Sequence, residues 1–251
     1  MSRLDIETIA ENFWTQAGLL AEFPRHIEQA IAVTLPLALV KLPMLNAKTV
    51  GRWLELRSLS LPLPNDKRDL MGCLIAHQGK GIIFINGADT DEEQRYTLAH
   101  EAAHFIVDYL TPRQEVILAL GEQVVAVLDG FREATPGERL DAVLSHIRLS
   151  AHIHIMPRDN YGKEPNLSEH IESRADALAL ELIAPKSTII SVISQLSAQG
   201  VAAHDEVLEK LASHFGLPPY VFYHLAANAG QKRPVQFLED VLASIRGRSV
   251  R

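Results

Sequence analysis

A single cysteine, Cys73, occurs among the 251 residues. That excludes an internal disulfide and fits a reducing cytosol. Net positive charge is lacking too. The formal charge is −7 at pH 7, which argues against broad electrostatic attraction to nucleic acid or to an anionic membrane. The basic stretch Arg-Gly-Arg-Ser-Val-Arg at 246–251 is too short to reverse this. Long apolar runs are also missing. The longest uncharged stretch, STIISVISQLSAQGVAA from Ser187, is interrupted by Ser, Gln and Gly, and reads as an amphipathic helix rather than a membrane span. The first 25 residues interleave acids with apolar side chains and lack a secretory apolar core. A cytoplasmic protein without membrane or direct nucleic-acid contact is therefore expected. There is no internal repeat and no low-complexity tract.

What is present is core-forming material: 47% apolar residues against 22% charged ones, in a chain long enough to bury a sizeable core. The pattern suggests one domain over 1–251. It divides into an N-terminal helical part (1–69), a core (70–187) and C-terminal helices (188–251). Residues 4–17 and 25–33 have helical spacing, 37–43 reads as a short strand, and 46–59 as another helix. The runs LMGCLIAH (70–77) and GIIFIN (81–86) around Gln-Gly-Lys signal a β-hairpin. Thr90 with Glu93 makes a capping box, and Asp91, Glu92 and Glu93 fill a first turn where the helix dipole favours acids. A helix over roughly 91–110 follows, stopped by Pro112. Two more helices are expected over 113–130 and 138–149. A possible strand begins at His152 and becomes a polar loop. Ser168 caps a helix running to Pro185. Two short helices follow Gly200, separated by Pro218 and Pro219.

Within the 91–110 helix lies TLAHEAAHFI (97–106). Residues i and i+4 share a helix face, so His100 and His104 project side by side. Two imidazoles at that spacing can hold one Zn2+ at about 2.0–2.1 Å. Glu101, rotated away from that face, suits a general base. Apolar flanks bury the segment, and buried histidines and a buried glutamate require partners. A catalytic zinc needs a third protein ligand and an open position. The best candidate is Glu172, in HIESRADALALELIAP (170–185). Asp176, one turn on, could accept a hydrogen bond from a ligand histidine. Ala175, Ala177 and Ala179, with Ala102 and Ala103, allow the two helices to approach closely. His152 and His154 form an H-x-H on the possible strand and are the alternative ligands. They also join Arg158 and Tyr161 as candidates for contacting substrate or an oxyanion. An extended substrate could pair with an exposed edge of the 70–86 hairpin.

These two segments together resemble the ImmA/IrrE-type metallopeptidases. Arg95, Tyr96, Thr97, His100, Glu101 and His104 fill that family's first pattern. Glu172, Ala175, Asp176, Ala179, Leu182, Ile183 and Pro185 fill the second. The resemblance covers 70–110 and 168–187; 208–226 is similar to the helix pair that often ends the domain. It implies an α+β fold, mostly helical and zincin-like, with a small antiparallel hairpin packed beside the HExxH helix. It also implies one Zn2+ per chain on His100, His104 and Glu172, with Glu101 as base. Relatives act as cytosolic proteases, several on helix-turn-helix repressors, so a stress response or transcription regulation is implied. Others inactivate a partner without obvious turnover, which leaves a metal-stabilised binding protein as the alternative. Hydrolysis of a small molecule is a third reading. Sixty-seven residues, 105–171, separate His104 from Glu172, more than the family spacing. The insertion, about 112–167, is expected to cover or narrow the cleft.

Overall fold

The computed structural model describes residues 3–20, 22–59, 61, 63, 68–137, 151–158, 169–201 and 203–228, with 3–5, 169–173 and 226–228 as backbone only. Its described elements are α1 (Arg3–Ala17), α2 (Ile27–Thr34), β1 (Leu37–Leu42), α3 (Ala47–Glu55), β2 (Leu70–His77), β3 (Lys80–Asn86) and α4 (Asp91–His104). They continue with a π-helical turn (Phe105–Leu110), α5 (Thr111–Leu120), α6 (Val125–Leu128), β4 (His152–Pro157), α7 (Glu169–Ile183), α8 (Lys186–Ala198), α9 (His204–Phe215) and α10 (Pro219–Asn228). The expected α+β class, mostly helical with a small sheet, is what the chain adopts. The expected 138–149 helix, the Ser168 cap and Tyr161 lie outside the described residues.

The sheet is mixed. Its order is β1-β3-β2-β4, with β1 parallel to β3 and the other pairs antiparallel. Gln78 and Gly79, both at positive φ, close the β2–β3 hairpin, the backbone demand of a two-residue turn. Because β1 and β4 flank it, neither edge of this hairpin is exposed. The expected docking edge there is corrected: β1 and β4 are the outer strands. Nothing local in the sequence specifies such pairing.

Alternation along the strands gives the sheet two apolar faces. One packs on α3, through Leu70, Cys73, Ile75 and Phe84 against Leu45, Val50 and Leu54. The other faces α4 and the remaining helices, through Met71, Leu74, Ala76, Ile83 and Ile85. α7 packs along α4, where Ala99, Ala102, Ala103, Ala175 and Ala179 are all fully buried. Their methyls are what allow the two backbones to approach. The carbonyl of Leu182 near the end of α7 accepts from Trp14 Nε1 at 2.9 Å and Arg25 Nη1 at 3.1 Å.

The capping box forms as expected: Glu93 N–H donates to Thr90 Oγ1, and Thr90 N–H to Glu93 Oε2. Pro112, however, does not end the helix. The chain passes from α4 through the π turn into α5, and Pro112 sits in the first turn of α5. The wider π turn re-sets the hydrogen-bond ladder just before the proline, so the missing N–H falls where no partner is required. Among the described residues no single helix is long and apolar enough to cross a membrane. Arg174–Ile183 and Lys186–Ala198 reach that composition only as a pair bent by 58°.

Candidate metal centre

α4 carries its polar residues inward. His100, Glu101 and His104 are 3%, 0% and 1% exposed, a depth at which each needs a partner. The two histidines meet at their Nε2 atoms, 3.1 Å apart. Each turns its other nitrogen to a carboxylate. His100 Nδ1 lies 3.0 Å from Asp176 Oδ1 on α7, and His104 Nδ1 lies 2.6 Å from Asp108 Oδ2 in the π turn. An ionised carboxylate can only accept, so in the neutral imidazoles each Nδ1 would carry the hydrogen and each Nε2 would present a lone pair. Both Nε2 atoms would then be available to a cation shared between them. Two nitrogens bound tetrahedrally to one zinc at about 2.0–2.1 Å would stand only slightly farther apart.

β4 brings a third imidazole. His154 stacks on the His104 ring, with centroids 3.6 Å apart and planes at 20°. Its Nδ1 lies 2.9 Å from Glu101 Oε2. Ligating atoms of His100, His104 and His154 all lie within 4.8 Å of one another. These three residues can hold a metal ion, and their donor set suits a borderline metal such as zinc.

Among the described residues Glu101 is bonded through Oε2, and Oε1 is buried without a hydrogen-bond partner. Burial pushes its carboxyl up. His154, by charge and hydrogen bond, with His100 and His104 behind it, outweighs this and holds the group below its ordinary value. The space for Glu101 comes from β2. A bulge between Leu70 and Gly72 interrupts the β2–β4 register. It turns Met71 and Gly72 to the α4 side, a device common beside functional sites. A Cβ on Gly72 would stand 2.6 Å from both Glu101 Oε1 and Thr97 Cγ2.

Other expected residues are placed as follows. The backbone of position 172 lies in α7, one turn before Asp176; its side chain lies outside the described residues. His152 shares the strand face of His154 but not the cluster, and its ring centroid lies 6.3 Å from that of Tyr109. Arg158 pairs with Asp89 ahead of α4, and its N–H bonds Asp69 O at 3.0 Å. That tie anchors the end of β4. Arg95 donates to the carbonyl of Gly216 at the α9 C-terminus, and Tyr96 lies with ring centroids 6.1 Å from His100 and 6.4 Å from Tyr220. Asp108 is not singled out by the HExxH pattern, although His-x-x-x-Asp is a visible i, i+4 spacing.

Residues 57–122 match the family model Peptidase_M78, described as the IrrE N-terminal-like domain. The match spans β2, β3, α4, the π turn and α5, and ends before β4 and α7. None of the curated proteins matches the chain.

Proposed function

From its ImmA/IrrE-type domain as the premise, we propose that this peptidase-family chain is a zinc-dependent endopeptidase. Its substrate is a regulatory, repressor-type protein met in the cytoplasm. The observation that carries this reading is the approach of the two Nε2 atoms to 3.1 Å, each imidazole backed by a carboxylate, beside a buried glutamate. His100 and His104 would hold the ion. Glu172 is the expected third ligand, because its helix position is one turn from Asp176, which already reaches His100. A bound zinc would supply Lewis-acid activation of water and of the scissile carbonyl. Glu101 Oε1, without a hydrogen bond among the described residues, is the oxygen suited to take a proton from water and pass it to the leaving amine. Asp176 and Asp108 keep both imidazoles in the ligating tautomer.

The test is Glu101→Gln, assayed on fluorescently labelled casein and on a co-encoded repressor. Cleavage should fall on the order of 100-fold or more while zinc content stays constant. Undiminished cleavage removes the base. One observation favours a second reading, a metal-stabilised protein that inactivates its partner by binding. Glu101 is fully buried and its Oε2 is engaged by His154. If Glu101→Gln still inactivates the repressor, this second reading holds.

A further inference from the structure

A glutamate side chain ends in a broad, two-fold torsion, so its own chemistry does not decide which carboxylate oxygen it presents. At Glu101 the surroundings decide it. The bare backbone of Gly72 on β2 walls one side, where an added Cβ would stand 2.6 Å from Oε1 and 3.0 Å from Cγ. From β4, His154 Nδ1 lies 2.9 Å from Oε2. An ionised carboxylate accepts, so that nitrogen is the donor. Among the described residues this is the one hydrogen bond to the Glu101 side chain, and the residue is fully buried.

The donor is itself held in place. Its ring lies face to face on that of His104, with centroids 3.6 Å apart. Its backbone pairs with Leu74 of β2, and Arg158 ties the end of β4 to Asp89 and to the carbonyl of Asp69. The side chain is 12% exposed, on a side of the sheet where Leu74 and Ala76 of β2 are apolar. One nitrogen on a carboxylate and one face on a neighbouring ring make this imidazole an anchor.

We propose that His154 is a positioning residue for the general base: its Nδ1–H pins Oε2 of Glu101 and leaves Oε1 as the oxygen turned to the reacting water. The inference rests on the metallopeptidase reading above and goes beyond it. β4 lies outside the matched segment, so the insertion supplies the anchor against which the base is set.

The experiment uses the full chain, with zinc as the metal and labelled casein as substrate. Asn carries its amide nitrogen where imidazole carries Nδ1, whereas Gln carries it one bond farther out. His154→Leu and His154→Gln should lower kcat on the order of 100-fold, the effect of a catalytic group misplaced by about 1 Å, and His154→Asn should recover roughly tenfold or more of that loss. KM and zinc content should stay as in the wild type. The second readout needs neither metal nor activity: the 13C resonance of the Glu101 carboxyl in the metal-free protein, assigned by its absence from Glu101→Gln. It should move in His154→Leu and His154→Gln and hold its wild-type position in His154→Asn. Should His154→Leu fail to fold, the contrast between Asn and Gln still decides. An unmoved Glu101 resonance in His154→Gln overturns the inference, and so does a loss of zinc in step with kcat, which would make His154 a ligand. A wild type that leaves casein intact counts against the peptidase reading, and the carboxyl resonance then decides separately whether His154 holds Glu101.

Discussion

The two faces of the sheet are equally buried but carry different jobs. Toward α3, Phe84 lies edge-on to Trp53 with ring centroids 5.1 Å apart, and Val50, Leu54, Cys73 and Ile75 complete a wholly apolar layer. Toward α4, the same strands meet apolar residues and, among them, His100, Glu101 and His104. Strand alternation makes this division possible, because adjacent residues point to opposite sides. His154 lies in the candidate metal cluster, while its neighbours Ile153 and Ile155 pack against the α3 layer. The dry face supplies stability, which lets the other face keep a buried polar cluster that costs stability until it is satisfied. Cys73 shows how thin the partition is. Burial first, then the Glu101 charge across the strand, push its thiol well above the ordinary value. The cysteine therefore behaves as an apolar filler.

Phe84→Ala should break the dry side most severely. It is fully buried, so the cavity should cost about 3–5 kcal/mol in denaturant unfolding, while zinc affinity of the folded protein stays constant. A large fall in zinc affinity would show that the faces are not separable. Gly72→Ala sharpens the comparison with a smaller effect. The added methyl meets Glu101 and Thr97 and should cost about 1–3 kcal/mol through overpacking. Its larger consequence is displacement of Glu101, read as lost peptidase activity. A variant with unchanged stability and activity would show that β2 does not crowd Glu101.

Much of this was legible because it is local. The capping box, the His-Glu-x-x-His face and the alanine surface of α7 depend on spacings within a few residues, and Asp176 lies against His100. The π turn was not legible. Pro112 reads as a stop, and only the wider turn ahead of it lets the helix continue. Nor was the partner of His154. The sequence shows His152 and His154 on one strand face, but pairing of β4 with β2 joins residues some eighty positions apart, and that pairing sets what the face meets. Arg158 follows the same rule: an arginine just ahead of the α7 segment is tied to Asp89. The parallel addition of β1 beside β3 likewise carries no local signal.

Side chains from separate elements are expected to converge on one divalent ion. Zinc counted by atomic emission after exhaustive dialysis checks this. One zinc per wild-type chain is expected, and essentially none in a folded His104→Ala variant. A wild type that stays zinc-free after incubation with zinc, or a variant that keeps its full complement, would contradict it.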